Sequence, residues 1–356
     1  GNKVKVRKNL LIIIVQLLAV TLLFASCAAS APVEAEYEWK YAEALGSKHP
    51  LTIGARAFAD KLSELTKGRV HLTVYDNASL GSIQEMIEGV DIGSIEFMDV
   101  SMAPLSTFSS KFYAFNLPYL FDNVDVAYAF EDGPMGQELK GPVAESGISV
   151  IGFMENGMRS LTSNVRIVEP EDIVGRKIRT MNNKVHLTAF GEAGASPVPL
   201  AFTELFTALQ QNVIDGQENP LLNIQDYSFH EVQKFLTLTE HFYDITVLCV
   251  NTKLYNSVPA DIRIAIDEAV EYMTNVHRRE CIKQNDKVLD FFKENSKMEI
   301  IHLTPEQKEA WRKAMEPTYA IYRDEIGADY LNKVIAEIGR LQAELTAGKL
   351  DTSGWR

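Results

Sequence analysis

From Pro259 to Asn295 apolar residues recur every three or four positions: Ile262, Ile266, Val270, Met273, Val276, Val288 and Phe291. That period belongs to one face of an α-helix. Pro259 suits a first helical turn, where its missing N–H costs nothing. At about 1.5 Å per residue the helix reaches roughly 50 Å, further than one small domain needs. A chain of 356 residues has room for about two domains. The long helix is therefore expected to brace both.

The chain opens with Lys3, Lys5, Arg7 and Lys8, followed by the apolar run "LLIIIVQLLAVTLLFA" from Leu10 to Ala25. About 16 apolar residues are short for a membrane span and suit a secretory signal core. Residues 1–26 are accordingly expected to be a signal peptide. "FASC" then places Cys27 after small residues, as in a lipoprotein box. Lipidation at Cys27 is one expectation, and ordinary cleavage near Ala29 to Ala31 is the other. Without those four cations the formal charge falls from −13 to about −17. So acidic a chain repels nucleic acid and anionic membrane surfaces, and would bind an anion only through locally placed arginines. Cys249 and Cys281 sit in apolar patterns and read as buried residues, not as a disulfide framework. Scattered histidines, without CxxC or HExxH, predict no metal and no cofactor.

After a linker over 27–36, strand-like and helix-like segments alternate. "EYEWKYAEA" and "RVHLTVYD" read as strands around the helical "TIGARAFADKLSELTKG". Ser82 and Glu85 form a capping-box pair ahead of "IQEMIEGV", and "SIEFMDVS" is a third strand. This order predicts a mainly parallel sheet covered by helices. A second series begins near residue 157. It runs through the strands "NGMRSLTSN" and "GRKIRTM", a helix at "HLTAFGEAG", a loop "ASPVPLAF", a helix "TELFTALQQN" and a strand "VIDGQE". "YDITVLCVN" is a further buried strand. "LTPEQKEAWRKAMEPTYAIYRDEIG" reads as one helix capped by Thr304, and "YLNKVIAEIGRLQAELTAG" as the last.

Two arginines stand out by setting. In "DIVGRKIRTMNN" Ile178 and Arg179 must point to opposite faces of a strand, so Arg179 faces either solvent or a cleft. Arg159 lies in the preceding strand, among Thr162, Ser163 and Asn164. A guanidinium can grip a carboxylate through two parallel hydrogen bonds. Asn219 precedes Pro220 in "DGQENPL", which favours an extended conformation at a turn and exposes an amide that both donates and accepts. Phe202 can wall a cleft or fill a core.

The blocks "GRKIRTMNN", "GASPVPLAFTELFTALQQNVIDGQENPL", "NGMRSLTSN" and "GRVHLTVYDNASLGSIQEMIEGV" resemble the extracytoplasmic solute-binding subunits of tripartite ATP-independent periplasmic (TRAP) transporters, of the dicarboxylate-binding-protein type. The resemblance runs from about Glu38 to Asp324. It implies an α/β, two-lobed periplasmic-binding-protein-like fold (type II), with crossing strands and a long helix spanning both lobes. The lobes would comprise 37–156 with about 246–285, and 157–245 with about 286–326, leaving 327–356 as a C-terminal helix and tail. The resemblance also implies a small carboxylate held by Arg179. Arg159 would be a second cation in the cleft, lined further by Asn219, Phe202, Met181, Ser101 and Glu85. His49 either meets the far end of the ligand or lies in an exposed loop.

In sialic acid binders an acidic residue follows the third strand and another follows the "LG" turn. Ser101 and Ile83 stand there in this chain, which argues for a smaller acid: a hexuronate, an aldonate or a C4-dicarboxylate. The implied partners are the TRAP membrane subunits. The implied location is extracytoplasmic, with a monomer tethered through Cys27. A secreted hydrolase is the rival from another class. Against it, Asp215 and Glu218 are only three residues apart around a glycine, and no nucleophile motif accompanies them.

Overall fold

A computed structural model describes residues 35–355. The expected signal peptide, Cys27 and most of the 27–36 segment lie outside the described residues. The first half of the chain begins with β1 (Tyr37–Ala42), α1 (Pro50–Leu65), β2 (Val70–Tyr75), α2 (Ile83–Ile92) and β3 (Phe97–Ser101). A helical stretch containing α3 (Val124–Asp132) leads to the short β4 (Gly141–Pro142) and the 16-residue β5 (Ile148–Ser163). Then come β6 (Lys177–Thr180), α4 (Lys184–Glu192), β7 (Ser196–Pro199), α5 (Phe202–Gln210), β8 (Gly216–Pro220) and α6 (Leu221–Asp226). The 17-residue β9 (Phe235–Asn251) returns through the whole sheet. It is followed by α7 (Thr252–Ser257), α8 (Ala260–Asn295), β10 (Glu299–Ile301), α9 (Pro305–Met315), α10 (Pro317–Ile326) and α11 (Ala328–Thr346).

The main path through the sheet runs β2-β1-β3-β9-β5-β8-β6-β7. Pairing is parallel within β1–β3 and within β6–β8, but β9 runs antiparallel to both β3 and β5, and β5 runs antiparallel to β8. The sheet is thus mixed, where the β-α-β order predicted a mainly parallel one. Two long strands pass between the two parallel groups, and each must reverse direction to do so. Almost every residue of β5 and β9 is buried, so neither shows the two-residue alternation that marks a half-exposed strand. The sequence pattern accordingly signalled only the last part of β9, which begins at Phe235, well before Tyr243.

Two further departures have simple causes. "ASPVPLAF" was expected to be a loop, yet residues 196–199 pair with β6 as the edge strand β7. An edge strand has one side free of ladder bonds, and Pro197 and Pro199 are tolerated there. The single helix expected over 305–326 is broken at Glu316, because Pro317 cannot donate into the preceding turn.

The helix α8 spans Ala260–Asn295, about 54 Å at 1.5 Å per residue. It packs on α1 and β5 in one direction and on α6 in the other. Ile262, Ile266 and Met273 share a continuous core with Phe58 and Leu62 of α1, while Val288 and Phe292 continue that core towards Leu222 and Phe229. The two halves of the sheet therefore share one helical brace, as the helix length demanded.

β5 bends through register shifts at Val150/Gly152, Glu155/Gly157 and Arg159/Leu161. At Gly157 φ is +110°, a conformation that other residues adopt only with strain. Gly152 has a steric reason instead, since a Cβ there would stand 2.7 Å from Val270 Cγ1 on α8. Gly152→Val should therefore overpack the strand–helix contact. The expected loss is about 1–3 kcal/mol of unfolding free energy, read as a lower urea midpoint at unchanged m-value.

Candidate functional site

The central strands carry a buried ionic cluster. Register places Arg159 of β5 opposite Pro220 of β8 and Phe242 of β9, so its side chain emerges beside Glu218, Asn219 and Asp244. Arg159 donates from Nε to Glu218 Oε2 (2.5 Å), from Nη2 to Glu218 Oε1 (3.0 Å) and from Nη1 to Asp244 Oδ2 (2.7 Å). Nη2 also reaches the Glu218 carbonyl and Asn219 Oδ1. Ser101 Oγ and Asn156 Nδ2 complete the shell of Asp244. Glu218 further meets His241 Nε2 at 3.2 Å, and the other ring nitrogen of His241 faces Thr239 Oγ1 at 2.7 Å. A carboxylate can only accept, so this arrangement puts the imidazole proton on Nε2 and makes Thr239 the donor to Nδ1.

Burial alone would raise Glu218, but the charge of Arg159 and hydrogen bonds from His241 and Arg159 outweigh it and hold the carboxyl well below its usual range. Burial lowers His241 in spite of Glu218, so the ring is neutral at physiological pH.

Arg179, on β6, lives in the opposite situation. It is 2% exposed, and Nε and Nη2 both donate to the Leu200 carbonyl at 2.9 and 2.8 Å. Among the described residues Nη1 is buried without a partner. The Leu200 carbonyl thus takes one edge of the guanidinium and leaves the Nη1/Nη2 end free for two parallel bonds to an anion. Phe202 lies 5.9 Å from the guanidinium carbon and is itself packed against Tyr227 and Phe229. Burial pulls the Arg179 pKa down to about 10, Glu218 offsets part of this and Arg159 adds to it. The group remains a cation at neutral pH, sealed from water, with no carboxylate of its own.

These side chains line a half-open cavity of about 50 Å³ between the two halves of the sheet. Of the residues singled out in the sequence, Arg179, Arg159, Asn219, Phe202, Met181 and Ser101 line it. Ile83 lines it too, at the position where sialic acid binders carry an acid. Arg159 borders the cavity while Glu218, Asp244 and Asn219 accept from its guanidinium.

His49 and Glu85 lie outside the lining. His49 is a buried N-cap and not an exposed loop residue. Its Nδ1 accepts from Leu51 N–H at 3.2 Å and its Nε2 meets Asn223 Oδ1 at 3.1 Å. Burial, reinforced by His277, pushes its pKa down to about 3, which leaves the ring neutral. The Glu85 carboxylate is spent in the α2 capping box, accepting from Ser82 N–H (2.7 Å) and Ser82 Oγ (2.8 Å). Its helix turns it away from the cavity that Ile83 borders.

The sequence reading overlooked Glu43, Asp99, Asn223 and Asp244, all of which line the cavity. Asp99 and Asp244 did leave a signal. Each is a lone acid within an apolar strand, "EFMDVS" and "YDITVLCVN", where a charge needs a partner.

The ionic cluster has measurable consequences. Arg159→Ala strands two buried carboxylates and should cost about 3–5 kcal/mol at pH 7 in urea denaturation. The stabilisation from Glu218 has a definite pH sign. Its folded pKa is depressed, so the contribution is complete above the ordinary value of 4.5 and is lost as pH falls below it, where the unfolded chain takes up the proton first. Between pH 4.5 and 3 the unfolding free energy of wild type should therefore fall more steeply than that of Glu218→Gln.

Residues 41–325 match the family model described as bacterial extracellular solute-binding protein, family 7. The chain is 31% identical over 304 residues to the C4-dicarboxylate-binding periplasmic protein DctP of Shewanella loihica, covering 84% of this chain and 89% of that one. Among solved structures it is similar to the sugar acid binding protein DctPAm of Advenella mimigardefordensis in complex with galactonate. The TM-score is 0.83 and the identity 31%, over 85% of this chain and 98% of that one. It is likewise similar to a TRAP periplasmic solute binding protein of Sulfurospirillum deleyianum with bound succinate, at TM-score 0.80 and 34% identity over 85% and 99% of the two chains. Proteins of this kind are receptors for transport and not enzymes. The chain belongs to bacterial extracellular solute-binding protein family 7, the extracytoplasmic receptors of TRAP transporters.

Proposed function

We propose that this protein captures a small organic acid outside the cytoplasm, a hexuronate, aldonate or related sugar acid, and delivers it to the TRAP membrane subunits. One observation carries the reading: the free end of a sealed, unneutralised Arg179 opens onto the cavity. An isolated buried cation is costly, and an anion that reaches it removes that cost while gaining charge-assisted bonds. A neutral sugar leaves the cost in place. Galactonate and succinate, bound by the two relatives, both carry a carboxylate, in keeping with a shared anchor for different tails. The succinate-bound relative favours the second reading, a C4-dicarboxylate or another monocarboxylate.

Capture follows from closure. The solute adds contacts that exist only when the halves meet, and so shifts the population towards the closed form. The structure already has fastenings between the loop at 44–49 and the segment around α6. His49 meets Asn223, Gly46 N–H donates to Asp226 at 2.7 Å, and Tyr227 donates to the Ala44 carbonyl at 2.5 Å. The proposal includes a monomeric receptor tethered through a lipid on Cys27, which rests on the sequence signal and is read by mass spectrometry of the mature N-terminus.

A thermal-shift panel of sugar acids and C4-dicarboxylates tests the anchor, since a ligand of the native state raises the melting temperature. Arg179→Ala should abolish the rise, with an affinity loss of about 2–5 kcal/mol. Arg179→Lys should recover little, because the forked end is gone. Unchanged affinity in Arg179→Ala would sink the assignment. In the absence of solute, Arg179→Ala should lose less stability than Arg159→Ala, since it removes a cation that no carboxylate pairs with directly among the described residues.

A further inference from the structure

Where β5 bends, α3 and α8 bring a second buried ionic group against it, apart from the cavity. The register shift at Glu155/Gly157 falls between the part of β5 that pairs with the β3-bound end of β9 and the part that pairs with β8. Glu155 and, on α3, Glu131 are only 3% and 1% exposed. Tyr128 of α3 donates its hydroxyl to Glu155 Oε2, and Tyr243 of β9 donates to Glu131 Oε1 at 3.3 Å. His277 of α8 holds the main chain at the same point, with Nε2 2.8 Å from the Glu155 carbonyl oxygen. One guanidinium serves the acids. Arg278 gives two bonds to Asp132, at 2.7 and 2.9 Å, and one to Glu131, at 3.2 Å. Among the described residues it makes no bond to Glu155. Lys140, the other cation nearby, lies over the Phe153 ring at 5.9 Å and forms no ion pair with these acids among the described residues.

We infer that Glu155 is a positioning residue for solute capture: with Glu131 it forms a proton-held clasp that ties the bend of β5 to α3 and α8, and ionisation of the clasp in alkaline surroundings weakens solute binding. This pH dependence rests on the proposed capture in the cavity and is set from behind it. A single guanidinium cannot neutralise three carboxylates in a water-poor interior, and Asp132 takes most of its bonds. Burial raises Glu131 to about 8 against the pull of Arg278, and Asp132 and Glu155 add to the rise. Burial raises Glu155 to about 7 against its bond from Tyr128 and the charge of Arg278, and Asp125 of α3 adds to it. The other groups facing the clasp stay neutral. Burial lowers His277 to about 4, and it raises the Cys281 thiol and the phenols of Tyr128 and Tyr243. Both folded values lie above the ordinary carboxyl value of 4.5, so the stability from the held protons is full below that pH and is lost as pH rises through about 7 to 8. The residue after Glu155 is Asn156, which lines the cavity and donates to Asp244 Oδ2 at 3.0 Å. Charging the clasp sets buried like charges against one another beside that peptide, and the bend that presents Asn156 gives way.

Titration calorimetry of the full mature chain at fixed salt, at about pH 6 and about pH 8.5, tests this with D-galactonate and succinate as probes. A probe that binds the wild type should bind at least about fivefold more weakly at the higher pH. Glu43 and Asp99 line the cavity with raised carboxyl pKa values of their own, so the deciding comparison is between wild type and Glu155→Gln, whose amide cannot ionise. The ratio of the two affinities should be at least about threefold smaller in that variant. Glu131→Gln should move the ratio the same way and serves if Glu155→Gln does not fold. Without solute, the unfolding free energy in urea should fall from the lower to the higher pH, and fall less in either variant. A merely structural role would weaken binding alike at both pH values. A ratio unchanged from wild type in the variants, or a wild type that binds no more weakly at the higher pH, overturns the clasp and leaves Arg179→Ala to decide the anchor. No binding by either probe at about pH 6 removes the capture reading and the clasp's role in it together.

Discussion

The structure turns on one buried guanidinium. Arg159 fastens β5 to β8 through Glu218 and to β9 through Asp244, at the place where three strands from distant parts of the chain converge. Its Nε, Nη1 and Nη2 all meet acceptors contributed by its neighbours, and both carboxylates are themselves held by further bonds, Asp244 by Ser101 and Asn156 and Glu218 by His241. Buried ion pairs are not by themselves a large source of stability, because desolvation cancels much of the attraction. Their value here is positional. A register slip in any of the three strands would leave a charge in the interior without a partner, so the cluster penalises every arrangement but one.

Against that closed account, Arg179 reads as an open one. The two arginines look alike in sequence, each in a strand-like segment with polar residues close by, and both end up almost inaccessible to water. What separates them is the company supplied by the fold. Arg159 faces two carboxylates, whereas Arg179 faces a backbone carbonyl and the ring of Phe202. A carbonyl satisfies geometry without cancelling charge. Because Leu200 lies just ahead of α5 and Phe202 opens that helix, the same stretch of backbone both orients the guanidinium and walls the cavity beside it.

Much of this architecture was written in local patterns. The 3.6-residue period of α8, the Ser82/Glu85 capping box and the Thr304–Pro305 start of α9 all concern neighbours in sequence, and all appear as the residues suggested. Features that depend on distant partners were not legible. The antiparallel passage of β5 and β9 through the sheet leaves no periodic trace, because strands covered on both faces look uniformly apolar. The engagement of Arg159 depends on Glu218 and Asp244, the latter 85 residues away. His49 shows the same limit from the other side: "KHP" reads equally as a loop or as a helix cap, and only the packing of α6 buries it. Glu43 and Asp99 are brought together solely by the β1/β3 ladder.

The fastenings between the loop at 44–49 and α6 use a neutral imidazole, an amide side chain, a phenol, one main-chain N–H and a carbonyl, with Asp226 as the sole charged participant. Among the described residues no pair of opposite full charges bridges the halves at that seam. Dissolved ions weaken long-range attraction between exposed charges over about 8–10 Å, but have little purchase on short dipolar bonds. A receptor working beyond the cytoplasm meets whatever salinity the surroundings impose. Those short dipolar bonds should change little between brackish and dilute water.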